Sequence, residues 1–175
     1  YTYVVKAPNG TEYQSLQAAT NDVHVFDNDP SSNQVFNVIY TAQLQTVNVM
    51  SDSSDPKGAQ MIETAHGPSN SNVSLNANDS NLKRSGYIYQ VTGPDRKVYD
   101  SLADALKNNP TYDDNAIPTD TGMDPIPQNF TVTYKPVKQT ANLIVDGKTL
   151  DTVTGDSDSK LTFNKTDNDL YRSGY

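Results

Sequence analysis

Alternating apolar and polar residues recur along the chain, divided by clusters of turn-forming residues. Tyr1-Thr2-Tyr3-Val4-Val5 puts Tyr1, Tyr3 and Val5 on one face of an extended segment, with Thr2 and Lys6 near the other. The same period of two marks strands at residues 36–40 and 130–134, where Phe36, Val38 and Tyr40 correspond in type to Phe130, Val132 and Tyr134. Further strands are expected at 46–50, 140–145 and 148–152, and short ones at 73–75 and 161–163. Pro8-Asn9-Gly10 predicts a turn, because proline presets φ and Asn or Gly accepts the left-handed conformation. Asp146-Gly147 predicts a tight hairpin.

Helical signals are short. Ser15 and Ser101 read as N-caps, and Leu102, Ala105 and Leu106 follow at helical spacing until Pro110 ends the segment. A single helical turn is expected from Asn78 or Asp79. Gly86 is then its left-handed C-cap, with Lys83 and Arg84 near the negative end of the helix dipole, and Gly174 after Arg172 repeats the arrangement.

Self-comparison reveals an internal repeat. YTYVVKAPNGTEYQSLQAA from Tyr1 matches YIYQVTGPDRKVYDSLADA from Tyr87. QVFNVIYTAQLQTVN from Gln34 matches QNFTVTYKPVKQTAN from Gln128, and GPSNSNVSLNANDSNLKRSGY from Gly67 matches GDSDSKLTFNKTDNDLYRSGY from Gly155. The register shifts between these matches place insertions near 53–58 in the first copy and 108–121 in the second, as loops tolerate. The copies run 1–86 and 87–175. The other phase compatible with the pattern is one complete unit at about 44–136 flanked by two half-units. The abrupt start at Tyr1 and the RSGY at both copy ends lead us to expect further copies in a longer parent protein.

Composition narrows the class. Only 34% of the 175 residues are apolar, tryptophan is absent, and 11 tyrosines supply most of the aromatic surface. Tyrosine suits half-buried strand positions, so two small cores are expected rather than one large one. Net charge is −8, with acid supplied almost wholly by Asp, which favours turns and caps. That balance disfavours nucleic acid and anionic membranes as partners. The absence of cysteine excludes disulfides, cysteine-ligated zinc and a thiol nucleophile. No apolar run reaches the ~20 residues that span a bilayer. The expected fold class is α+β, as tandem small strand-rich domains of β-grasp (ubiquitin-like) type in an elongated arrangement.

VFDNDPSSNQVFNVIY, containing Phe26, Asp27, Asn28, Asp29, Gln34, Phe36 and Val38, resembles the closing segment of mucin-binding (MucBP or Mub-type) repeats of cell-wall-anchored adhesins from lactic acid bacteria. QTANLIVDGKTLDTVTGDSDSK from Gln139 is similar to the opening strands of those repeats, and the RSGY segments to their helix-to-strand junction. The second copy departs from the pattern, with Asp113, Asp114 and Asn115 preceding a long insertion, and Asp146-Gly147 is a shorter turn than usual. The resemblance implies a β-grasp-like fold, an extracellular cell-surface location and binding to mucin glycoproteins or their glycans. It extends in some relatives to immunoglobulin or calcium.

The chemistry-bearing residues fit binding better than catalysis. His24 and His66 are the only histidines; His24 reads as a strand residue and His66 as a loop residue, and neither recurs in the other copy. The carboxylate pairs Asp113/Asp114, Asp156/Asp158 and Asp167/Asp169 read as solvated turn residues rather than a hydrolase pair. Asp27-x-Asp29-x-Ser31-x-Asn33 spaces oxygen ligands as calcium loops do, but Ser32 and Val38 stand where an EF-hand needs Gly and Glu. An Asx-rich turn is the preferred reading, and a looser calcium site on Asp27 and Asp29 is the alternative. Paired tyrosines (Tyr1/Tyr87, Tyr3/Tyr89, Tyr13/Tyr99) read as core rather than a sugar-stacking platform, and Asn9 and Asn72 in acceptor sequons as turn residues. The expectation is a non-enzymatic adhesin repeat, weak per copy and multivalent, needing no cofactor unless calcium binds. Its other partners would be neighbouring repeats of the chain. The competing expectations are a structural spacer in a surface stalk and capture of a host protein such as immunoglobulin.

Overall fold

The computed structural model describes residues 1–114 and 126–171. The chain is α+β and strand-rich. Its elements are β1 (Thr2–Lys6), β2 (Glu12–Tyr13), α1 (Leu16–Asp22), β3 (Asn37–Thr41), β4 (Leu44–Ser51), β5 (Met61–Pro68), α2 (Asp79–Leu82), β6 (Tyr87–Thr92), β7 (Val98–Tyr99), α3 (Leu102–Asn108), β8 (Gln128–Pro136), β9 (Lys138–Val145), β10 (Lys148–Asp156) and α4 (Asp167–Leu170). Among the described residues the strands form three sheets: β2-β1-β3, β5-β4-β8-β6-β7 and β10-β9. Two compact units are distinguished, one of Tyr1–Val47, Thr64–Ser74 and Pro110–Gln128, the other of Asn48–Glu63, Leu75–Asn109 and Asn129–Tyr175. Both β4 and β5 contribute residues to each.

In the first unit, β1 pairs antiparallel with β2 and β3, setting Tyr3 opposite Tyr40 and Val5 opposite Val38. The Ser15 side chain accepts from Ala18 N–H and starts α1, satisfying a backbone donor that the first helical turn leaves without a partner. Val5, Ala7 and Ala19 are buried. Segments 69–73 and 110–112 are laced by backbone hydrogen bonds: Tyr112 N–H donates to Ser71 O (2.9 Å), Asn70 N–H to Tyr112 O (3.0 Å) and Val73 N–H to Pro110 O (2.8 Å). The Tyr112 ring lies on Gly67. A Cβ at that glycine would meet it at 2.2 Å, so no larger residue fits without displacing the ring.

In the second unit, β6 pairs antiparallel with β7 and β8, with Tyr89 opposite Tyr134 and Val91 opposite Val132. The alternation predicted for 130–134 turns Phe130, Val132 and Tyr134 inward, where they are buried with Val91, Leu82, Leu102 and Ala105. Asp79, in the first turn of α2, accepts from the Tyr89 hydroxyl (2.8 Å) and from Leu102 N–H at the start of α3 (2.7 Å). Burial, and then the Asp79 carboxylate, push the Tyr89 hydroxyl pKa well above its usual value. The Tyr134 hydroxyl donates to Leu82 O at the end of α2 (2.6 Å). The β9–β10 hairpin turns at Asp146 and Gly147, both at positive φ, as the Asp-Gly signal predicts.

Several expectations are corrected. Residues 73–75 and 161–163 are irregular rather than strands; just before the first, Asn72 forms an isolated bridge with Thr111. His24 lies in a loop after α1, where Val23 caps the helix, and not on a strand. His66 conversely lies within β5. Gly86 has the expected positive φ, but α2 has already ended at Lys83, so the glycine serves a later turn closed by Tyr87 N–H on Arg84 O. Its counterpart Gly174, with Arg172, lies outside the described residues. The paired tyrosines divide: Tyr87 and Tyr89 are half-buried, whereas Tyr1 and Tyr3 are exposed.

Val132 is fully buried and its sequence counterpart Val38 is exposed. Val132→Ala should therefore cost about 2 kcal/mol and Val38→Ala under about 1 kcal/mol in dilute solution, read by denaturant unfolding. Equal losses at the two positions would contradict this packing.

Candidate functional site

The sequence singled out Asp27 and Asp29. Both lie in the exposed loop between α1 and β3. Asp27 accepts from Asp29 N–H (3.1 Å), and Asp29 accepts from Ser31 N–H (2.9 Å), the Ser31 hydroxyl (2.5 Å) and the Ser32 hydroxyl (3.0 Å). The Ser31 side chain, then the Ser31 and Ser32 donors together, hold the Asp29 carboxyl below the usual range. These are Asx turns, in which the carboxylate is employed by its own loop. Among the described residues no three His, Asp or Glu side chains gather as a metal cluster.

The other chemistry-bearing groups are similarly engaged. His66 Nδ1 meets the Thr46 hydroxyl at 3.0 Å and His24 Nδ1 lies 3.4 Å from Asp22 O. Asp156 pairs with Lys138 (3.0 Å), Asp158 accepts from the Tyr87 hydroxyl (2.9 Å), and Asp169 accepts from Thr166 N–H at the start of α4 (2.8 Å). Glu63 binds Asn76 N–H (2.9 Å) and Ala77 N–H (2.6 Å), and Asp151 binds Asn164 N–H (2.7 Å). Carboxylates thus tie down loops at matching places in the two halves of the sequence.

Among the described residues one charged pair is buried. Arg84 donates through Nε to Asp55 Oδ1 and through Nη2 to Asp55 Oδ2, each at 3.0 Å, and its guanidinium lies 5.2 Å from the Tyr134 ring centroid. The Asp55 side chain is fully covered and Arg84 nearly so. The fork of the guanidinium matches the carboxylate, and the aromatic face adds a second attraction to the same cation. Burial alone would raise the Asp55 carboxyl, but the Arg84 hydrogen bonds and the Lys57 N–H outweigh it and the pKa is lowered. Asp52 behaves alike, with burial opposed by Ser54 and Thr133.

Beside this pair the surface opens into a groove of ≈ 530 Å³ lined by Lys83, Arg84, Ser85, Tyr87, Ile88 and Tyr89. Lys83 and Ile88 are exposed, and Lys83 has no ion-pair partner among the described residues. On a chain of net charge −8 this is a local cation beside aromatic and aliphatic surface. Such a groove can hold a polar, anionic ring system: the ammonium meets the charge, the tyrosine and isoleucine surfaces meet C–H faces, and the Ser85 hydroxyl offers hydrogen bonds. Sequence reading treated Lys83 and Arg84 only as dipole partners of a helix. The signal available was two adjacent cations and a serine immediately before an aromatic strand in an acidic chain. Compared with known proteins, the chain matches no family, no curated protein and no solved structure.

A carboxylate whose folded pKa lies below its unfolded one contributes stability that is present above the unfolded value near 4 and lost as pH falls through the folded one. Stability should accordingly hold at neutral pH and decline below about pH 4 as Asp55, Asp52 and Glu63 protonate. Asp55→Asn should cost about 3 kcal/mol at neutral pH and flatten that decline, because it strands a buried guanidinium. Urea unfolding of wild type and variant from pH 3 to 7 reads both effects, taken as rough bounds of the titration range.

Proposed function

We propose that the chain is an adhesive repeat of a bacterial surface protein that binds mucin glycoproteins through their glycans, weakly per copy and multivalently in an array. The observation that carries this reading is the open Lys83–Tyr89 groove, a cationic and aromatic surface on an acidic chain, suited to the acidic sugars that end mucin glycans. The resemblance of residues 25–40 and 139–160 to mucin-binding repeats supports the same assignment. So does the sheet order. Counted within residues 44–136, the strands lie second-first-fifth-third-fourth, an order compatible with the small β-grasp units that this reading expects. The reading assigns recognition rather than catalysis, with the parent protein displayed outside the cell on the wall. Calcium at Asp27 and Asp29 is an optional addition, to which the Asx-turn geometry lends no support.

The spacer reading is favoured by a different observation: the carboxylates and hydroxyls described above are largely consumed in fixing loops, as stiff stalk modules require. Both readings are separated by retention of the protein on immobilised mucin, before and after enzymatic removal of sialic acid and sulfate, with and without calcium. Weak, glycan-dependent retention that strengthens with the number of copies is expected. Lys83→Glu should reduce it about tenfold, since it reverses the charge at the groove. Retention indifferent to both treatments and to Lys83→Glu would assign adhesion elsewhere and leave these repeats as spacers. Recovery of immunoglobulin from serum instead would indicate protein capture.

A further inference from the structure

Elements recur where the aligned segments recur. Leu16–Asp22 and Leu102–Asn108 are both helices capped by serine, Leu44–Ser51 and Lys138–Val145 are both strands, and Asp79–Leu82 and Asp167–Leu170 are both single helical turns. Tyr3 and Tyr40 meet with ring centroids 6.1 Å apart and planes at 53°, and Tyr89 and Tyr134 meet with the same values. By this correspondence β1, β2, α1 and β3 repeat β6, β7, α3 and β8, while β9, β10 and α4 repeat β4, β5 and α2. Residues 44–136 hold one of each set, joined in a single five-stranded sheet through β4 and β8. The flanking segments hold one set apiece, as separate sheets.

Burial follows the same division. Tyr134 is 4% exposed and its counterpart Tyr40 67%; Leu82 is 0% exposed and its counterpart Leu170 43%. The sharpest contrast is between Tyr112, 3% exposed over Gly67, and Phe26, 94% exposed at the corresponding place after α1. The counterpart of Gly67 is Gly155. It lines a groove of ≈ 270 Å³ with Ala141, Val153 and Leu161, and no aromatic ring stands within 4 Å of where its Cβ would be. A ring without a seat on one segment thus corresponds to a seat without a ring on the other. The hydrogen bonds agree. Asp79 and Leu82 O receive the hydroxyls of Tyr89 and Tyr134, whereas among the described residues the Asp167 carboxylate and the hydroxyls of Tyr3 and Tyr40 have no hydrogen-bond partner.

We infer that the N-terminal segment of one molecule docks on the C-terminal segment of a second copy of this chain, rebuilding the sheet as β10-β9-β3-β1-β2 with Phe26 seated on Gly155. The occupant is specified by the molecule itself, since residues 44–136 show the same two sets joined. In that sheet Asn48 donates to Asn129 (3.1 Å) and Thr133 to Asp52 (2.6 Å), so β4 and β8 advance in the same direction. Their counterparts pair Asn142 of one copy with Val35 of the next, and β9 with β3 edge to edge. Such a contact joins two different surfaces, so it propagates head to tail rather than closing as a symmetric dimer. It is independent of what the repeats bind.

The chain has no cysteine, which makes disulfide trapping specific. Val35→Cys and Asn142→Cys proteins, mixed under mild oxidation, should give the heterodimer in excess over either homodimer. Sedimentation of the unmodified chain should show association that rises with concentration. Phe26→Ala should weaken it at least about tenfold, and Asp167→Ala about tenfold, whereas Ile88→Ala, outside the proposed contact, should not. A chain that stays monomeric throughout, association indifferent to Phe26→Ala, or homodimers of either variant as abundant as the heterodimer would each overturn the inference.

Discussion

A two-stranded hairpin and one helical turn have too little surface to keep water from both faces of an apolar layer. That constraint governs this chain. The β4–β5 hairpin and α2 carry half of a core; β6, β7, α3 and β8 carry the other half. Where the sheet joins them, Val49, Leu82, Val91, Phe130 and Val132 are fully buried. The polar groups obey the same requirement. Asp79 serves both Tyr89 and the start of α3, and Leu82 O serves Tyr134, so the hydrogen bonds of each half are completed by the other. Apolar burial supplies the drive, and these few bonds fix the register in which it is satisfied.

The buried Arg84–Asp55 pair adds specificity to that register. Removing two charges from water is costly and the pair regains that only with good geometry. Here the carboxylate meets a two-pronged guanidinium and an adjacent backbone N–H, and the cation has an aromatic face below it. Asp55 belongs to the loop between β4 and β5, an insertion relative to the second copy. The added residues are therefore structural: they bring an acid to the one arginine that the α2–β6 junction directs inward.

Much of the strand pattern was legible because it rests on local chemistry. The Ser15 and Ser101 caps, the Asp-Gly hairpin and the inward set of Phe130, Val132 and Tyr134 all follow from neighbours in sequence. What was not legible depends on distant partners. The 73–75 segment has the residues of a strand, but Val73 N–H goes to Pro110 O and the chain there is held by a crossing loop rather than a ladder. His66 looked like a loop residue because Gly67-Pro68 follows it, yet the strand runs through them to accommodate the Tyr112 ring on Gly67. The cationic groove escaped notice because Lys83, Ser85 and Ile88 form no motif; only the turn at Gly86 sets them beside one another. Likewise, matching motifs read as matching environments, whereas Tyr134 is buried with its hydroxyl on Leu82 O and Tyr40 is exposed.

The adhesion and the assembly that we propose make compatible demands on these residues. A groove that holds a glycan weakly is effective only when many copies are presented together, and the gain depends on how firmly their spacing is held. A flexible tether between units would spend part of each binding event on ordering them. β3 is separated from β4, and β8 from β9, by only a few residues. The groove-forming residues Lys83–Tyr89 directly follow α2 and lead into β6. Completing the core therefore also sets the surface that would meet the ligand, so the packing that joins the halves and the recognition that we propose depend on the same seven-residue stretch.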